Sequence, residues 1–421
     1  MASGVMPWAV LFRAFGRIGL LSFGGPAAQI ALMHRELVEE RKWVSEDEYL
    51  SALSFCMLLP GPEAMQLATW IGWRLRGVAG GLLAGLLFVG PGAVVVLALS
   101  VLYATFGQVP VVAALFTGVQ AAVVAVVVEA LLRVSRRALK TRAHWVIAGL
   151  AFAALFAFGL PFPVVILGAG LWGYVTTRAG VAAAPTYAPG AMRQSVTAVA
   201  VWGAVWLLPL AALMFWAPPL YADIALFFSK LAVVTFGGAY AVLAWMAQAV
   251  VADKHWLTLP QMMDGLGLAE TTPGPLILVT QFVGFQAGWA KDGLAGGLAG
   301  AAITLWMTFV PCFLWIFAGS PWIERLTHAP RLSGALKAIT AAVVGVIANL
   351  SLWFALHVVF GQVNVLELGP LHLVWPDVTS LRPLPALIGL GSAWLLLRRH
   401  WSLPLVLGLA ALVSALFSFA L

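Results

Sequence analysis

Charge is scarce in this chain. Asp, Glu, Lys and Arg together make up 9% of its 421 residues, against roughly 25% in a soluble domain. With 62% of residues hydrophobic, a water-soluble fold is excluded, because a single soluble core stops growing near about 250–300 residues. Cysteine is nearly absent. Cys56 and Cys312 both sit in apolar surroundings and are read as buried small hydrophobes. No metal-ligand spacing occurs, so neither a metal nor a cofactor is expected. The period-two alternation of a barrel strand is missing, which disfavours a β-barrel. A zinc-type HExxH, a serine nucleophile elbow and a nucleotide-binding loop are also missing, so an enzyme is disfavoured. The N-terminus has no early basic cluster and no small-residue cleavage site, so no removed signal peptide is expected. The formal charge of +7 accompanies no nucleic-acid module. Its basic residues lie in short loops beside apolar runs, where they act as an orientation signal in a lipid bilayer.

What the chain does have is apolar runs of about 20 residues, each long enough to cross about 30 Å of hydrocarbon. Spans are expected at 10–33, 49–72, 78–105, 109–132, 144–160, 162–177, 197–217, 225–250, 262–287, 294–319, 335–358, 384–397 and 402–420. The fold class is thus an all-α polytopic membrane protein of about 13 membrane segments. The stretch 178–196, rich in Ala, Pro and Gly, is a linker, and 359–383 is a longer extramembrane loop with several prolines. Arg133, Arg136, Arg137, Lys140 and Arg142 form the strongest cytoplasmic mark. Counting outward from them puts the N-terminus in the cytoplasm and the C-terminus outside. The mixed-charge loop 34–48 argues mildly against that placement.

The two halves repeat. SFGG at 22–25 returns as TFGG at 235–238, Trp43 as Trp256, Pro60-Gly61-Pro62 as Pro273-Gly274-Pro275, and Arg17 as Lys230, each 213 residues later. One unpaired span, 197–217, separates two even-numbered units, which turns the second unit over in the membrane. The expectation is two inverted-topology repeats with broken or re-entrant helices, 1–177 and 222–421, joined by 178–221, a linker with a connecting span. Such transporters place their sites near the midplane, where broken helices meet.

The stretches FGRIGLLSFGGPAAQIALMHRELVEERKWVSEDEY and LLPGPEAMQLATWIGWRLRG in the first half, with TFGGAYAVLAWM and LGLAETTPGPLILVTQFVGF in the second, carry a resemblance. The chain resembles the chromate ion transporter family over about residues 10–130 and 225–350. That likeness implies a two-half, multi-pass protein of the bacterial inner membrane. It implies export of chromate from the cytoplasm, driven by the membrane potential or the proton gradient, with sulfate as an isostructural relative that competes or came first. Coupling mode and a homodimer are left open.

A tetrahedral dianion at the midplane needs N–H or O–H donors and compensating charge. Pro60, Gly61 and Pro62, and likewise Pro273, Gly274 and Pro275, suit a helix start, whose free amides carry partial positive charge. Gln66, Thr271 and Thr272 are polar neighbours of these breaks. The plainer reading is a pair of kinked helices packed for shape. Ser22, Phe23, Gly24 and Gly25, with Thr235, Phe236, Gly237 and Gly238, offer hydroxyls and close backbone approach, or simply tight helix packing. Arg17 and Lys230 draw an anion inward, or snorkel to headgroups. Glu63 and Glu270 are carboxylates in apolar segments and candidates for proton coupling. Glu129 pairs with Arg133, one turn on, and Ser45 with Glu48 fits a capping box. Trp43 and Trp256 are interfacial anchors. Only the first half has an acid after its PGP, since Leu276 stands where Glu63 does.

Overall fold

A computed structural model describes residues 6–178, 190–236, 238–327, 329–369 and 371–420, 84% of them helical. The helices are α1 Trp8–Leu21, α2 Gly25–His34, α3 Glu46–Leu58, α4 Glu63–Phe106, α5 Pro110–Ala138, α6 Arg142–Phe156, α7 Phe162–Thr176 and α8 Ala191–Trp216. They continue as α9 Pro219–Val234, α10 Ala239–Gln248, α11 Leu259–Thr271, α12 Val279–Gly319, α13 Ile323–Thr327, α14 Pro330–Val359, α15 Pro383–Leu397 and α16 Leu403–Ala420. Among the described residues, five helical stretches are long and apolar enough to cross a bilayer: Glu63–Phe106, Pro110–Ala138, Ala191–Trp216, Leu276–Trp322 and Pro330–Val359. The chain is a multi-pass membrane protein.

Two of those five are not single rods. Along an unbroken helix, Gly72 and Gly80 would stand about 12 Å apart, and Gly284 and Gly300 about 24 Å. Yet a Cβ placed on Gly72 would lie 2.3 Å from the carbonyl oxygen of Gly80, and one on Gly284 would lie 2.6 Å from that of Gly300. Each stretch therefore folds back on itself. The reversals sit at Arg76-Gly77 and Asp292-Gly293, where Gly77 (φ 63°) and Gly293 (φ 61°) take left-handed backbone. Beyond each turn the arms pack glycine to backbone, the close approach that small residues permit. The arms 63–75 and 279–291 are only about 20 Å long.

Local conformation repeats along with sequence. Helix α3 and α11 share bounds at the 213-residue offset. A π-turn follows α2 at Arg35–Glu40 and α10 at Ala249–Asp253. Lys42 (φ 53°) and His255 (φ 52°) occupy matching left-handed positions, as do Gly25 with Gly238 and Gly61 with Gly274. Arg41 lies over Trp43 and Lys254 over Trp256, again at matching positions.

Packing divides the chain into two compact units. The first comprises Met1–Val101, Ala179–Ala239 and Ala269–Ser333; the second comprises Leu102–Arg178, Tyr240–Leu268 and Gly334–Leu421. Each draws on both sequence halves. In the first, α12 packs on α8 and α9; in the second, α5 packs on α15 and α16. Helix α8 is buried over only 11% of its apolar window, so it presents most of that surface outward.

Several expectations are met and others corrected. Ser45 and Glu48 form the capping box. Burial alone would raise the Glu48 carboxyl, but the Ser45 amide and Arg74 hold it below the ordinary range. Arg133 bonds Glu129 as expected. The stretches 10–33, 49–72, 225–250 and 262–287 are each interrupted rather than continuous. The loop 359–383 contains an antiparallel hairpin, β1 Val363–Leu368 with β2 Leu371–Pro376, turning at Gly369 (φ 61°).

Candidate functional site

In the first unit, the SFGG and PGP breaks of opposite halves meet. Helix α1 ends where Ser22 leaves helical backbone (ψ 63°) and Gly24 turns left-handed (φ 86°). The Ser22 hydroxyl donates to Ile18 O at 2.6 Å, and the Thr235 hydroxyl to Leu231 O at 2.6 Å. Both protons are thus given to their own helices, one turn back. The Ser22 and Thr235 carbonyls bond across to the opposite half instead. Gly274 N–H donates to Ser22 O at 2.9 Å, and Gly61 N–H donates to Thr235 O at 2.8 Å. The exchange is reciprocal between equivalent positions of the two halves.

Two buried amides brace it. Gln29 donates to Ser22 O at 3.2 Å and to Gly274 O at 2.7 Å, and Gln66 donates to Pro60 O at 2.7 Å. Gln29 escaped the sequence reading. Its only trace there is an amide in an apolar run, seven residues past Ser22. The PGP glycines are tightly enclosed. A Cβ on Gly61 (φ 124°) would lie 2.8 Å from the Gln66 amide nitrogen and 2.9 Å from Cys312 Sγ. Gly92 packs its Cα face on Pro273, leaving 2.2 Å between a built Cβ and Pro273 O.

Helix starts follow both breaks. The ladder after Pro62 opens with Gln66 N–H to Pro62 O at 3.0 Å, so the amides of Ala64 and Met65 precede it. The second opens with Leu278 N–H to Pro275 O at 2.9 Å, so the Leu276 and Ile277 amides precede it. Such first-turn N–H groups carry the positive end of the helix dipole. Pro60–Pro62 and Thr272–Pro275 are buried, while Glu63, Glu270 and Thr271 are half-buried. Phe23 and Gly24 are exposed, and Gly25, Phe236 and Gly238 lie between. Gly237 falls outside the described residues.

The two basic positions differ. Arg17, with its side chain 55% exposed, pairs with the fully buried Glu36 at 3.4 Å, and Arg41 reaches the same carboxylate at 3.4 Å. Glu36 is a buried acid that its mixed-charge loop concealed in the sequence. Lys230 is exposed, and the position matching Glu36 in its half is Ala249. Arg17 is therefore anchored by a carboxylate that Lys230 lacks.

The sequence profile described as "Chromate transporter" matches residues 9–174 and 222–415. The chain belongs to the chromate transporter family. Among curated relatives, the "Chromate transport protein" of Pseudomonas aeruginosa is 35% identical over 356 residues, covering 81% of this chain and 80% of that protein. The "Probable chromate transport protein" of Synechococcus elongatus is 31% identical over 409 residues, 97% of this chain and 95% of its own. An uncharacterised transporter of Bacillus subtilis is 30% identical over 167 residues, 39% of this chain but 93% of its own length. No solved structure matches. In this chromate transporter family member, the two matched stretches contain both SFGG-type breaks and both PGP breaks.

Proposed function

We propose that this protein is a secondary transporter that exports chromate from the cytoplasm across the inner membrane, coupled to the proton gradient, and so confers chromate resistance. The observation that carries the reading is the reciprocal pairing of Ser22 with Gly274 and Thr235 with Gly61. It sets two interrupted helices, one from each half, side by side in one unit. Exchange of equivalent contacts is the mark of a two-fold relation. With α8 as an odd connector, that relation fits inverted repeats about an axis in the membrane plane. The half-length Bacillus relative fits a duplicated unit.

In this reading the amides of Ala64, Met65, Leu276 and Ile277 receive the oxyanion, and Pro60–Pro62, Gln66 and Thr271–Pro275 shape its berth. Ser22–Gly25 and Thr235–Gly238 set the two breaks. Arg17 and Lys230 draw the dianion from opposite faces. Glu63 and Glu270 couple the proton, since a carboxylate beside an anion repels it unless protonated. The N-terminus faces the cytoplasm and the C-terminus the periplasm.

The test is chromate uptake into inside-out vesicles, with sulfate as competitor and the proton gradient collapsed in a parallel arm. Uptake that falls with the gradient and yields to sulfate is expected. Transport of neither anion overturns the reading, and gradient-independent flux of high conductance makes the protein a channel. Glu63→Gln should flatten the pH dependence of uptake, and a full pH profile in that variant removes Glu63 from the coupling.

A further inference from the structure

The second unit buries an acid that the proposed site does not use. Asp264, on α11, is 3% exposed. Tyr103, at the end of α4, donates its hydroxyl to one carboxylate oxygen at 2.7 Å. Gln120, on α5, donates its amide to the other at 3.0 Å. Both donors are neutral, and among the described residues no cation forms an ion pair with Asp264. Helix α11 lies against α5 through Gly267, which leaves 2.5 Å between a built Cβ and Val119. The first half has Ser51 at the equivalent position, so the acid belongs to one half alone.

A cavity of about 50 Å³ reaches this cluster, lined by Thr117, Gln120, Met263, His357 and Arg382 among others. It is large enough for water. Arg382 is exposed, so the cavity leads from the surface to Gln120, one hydrogen bond from Asp264. The titratable and charged groups around the acid are Tyr103 from α4 and, across the cavity, His357 from α14 and Arg382 from the segment before α15.

An ionised acid at this depth is costly and marks function by default. Here protonation breaks no salt bridge. A proton that enters from bulk solvent, relayed by water that is left neutral, forms an O–H bond on the oxygen facing Tyr103. The phenol can accept as readily as donate, so its hydroxyl turns over and keeps the contact. Gln120 continues to donate to the other oxygen. Loss of the proton reverses each step. In either protonation state both carboxyl oxygens keep a hydrogen-bond partner.

We propose that Asp264, with Tyr103 and Gln120, is a proton-binding site, entered through this cavity, that loads and unloads during oxyanion transport. Its place in transport rests on the proton-coupled reading above; proton binding itself can be measured without transport. Infrared spectra of the purified full chain, titrated between about pH 5 and 9, should show a protonated-carboxyl band that appears as pH falls. Asp264→Asn should remove that band, and Tyr103→Phe should shift both its position and its midpoint. In proteoliposomes, Asp264→Asn should keep chromate exchange at equilibrium within about twofold and lose about tenfold or more of accumulation driven by a pH gradient. A band unchanged in both variants, or gradient-driven accumulation intact in Asp264→Asn, overturns the proposal. If the wild type binds the proton at Asp264 but moves no chromate, the proton site stands and the transport reading falls.

Discussion

Gly61 and Gly274 have little freedom to change. Both hold left-handed backbone, φ 124° and φ 91°, and both give their N–H to the opposite half. Gly61→Ala should cost about 2–4 kcal/mol, since it adds strain to a clash with Gln66 and Cys312. Gly274→Ala should cost less, about 1–3 kcal/mol, because its nearest neighbour is the flexible end of Leu278 at 3.0 Å. Thermal unfolding in detergent measures both. Arg17→Ala should lower stability by at most about 1 kcal/mol, because Arg17 is largely exposed and Arg41 still reaches Glu36. If Arg17 steers the anion, its loss should slow chromate uptake most at low ionic strength and least at high salt. The glycines themselves were legible in the sequence, because Pro-Gly-Pro has few uses inside an apolar run. Their partners were not. The acceptors are backbone carbonyls of Ser22 and Thr235, and a carbonyl leaves no mark on residue type. The hydroxyls that did stand out are turned back on their own helices.

At the scale of elements, the helical hairpins decide where the short arms lie. Their turns were readable, since the expected spans 49–72 and 78–105, and again 262–287 and 294–319, part at Gly77 and Gly293. What hydropathy could not place is the inner break, because the residues on either side of it are equally apolar. The small hairpin at 363–376 was hidden for a different reason: its prolines and polar residues resemble an irregular loop. Gly284→Leu should abolish folded protein on size exclusion, because a Cβ there already meets Thr304 Cγ2 at 2.4 Å and the Gly300 backbone at 2.6 Å. Gly293→Asn should stay within about 0.5 kcal/mol of wild type, since Asn tolerates left-handed backbone and no atom lies within 4 Å of a Cβ at that turn.

At the scale of the molecule, the sequence halves and the compact units do not coincide. The repeat was visible as a constant offset, but unit membership depends on contacts between residues hundreds of positions apart, which one sequence does not record. The first unit needs Ser22 and Gly61 from one half and Thr235 and Gly274 from the other. Cutting the chain within the 178–196 connector should therefore leave two fragments that fail alone and regain chromate transport when made together. Co-purification of the two fragments through a tag on one checks the assembly apart from activity.

The reciprocal exchange at Ser22, Gly61, Thr235 and Gly274 also has a genetic consequence. Each break is completed by the other copy, so neither half of a duplicated gene is free to drift. Damage at Gly61 is felt at Gln66 in its own half and, across the repeat, at Cys312 and at the Thr235 carbonyl it bonds. Spontaneous suppressors of Gly61→Ala, selected on chromate, should arise at Gln66 and, in the second half, around Thr235 and Cys312. Suppressors of Gly274→Ala should cluster around Ser22, Gln29 and Gly92 in the first.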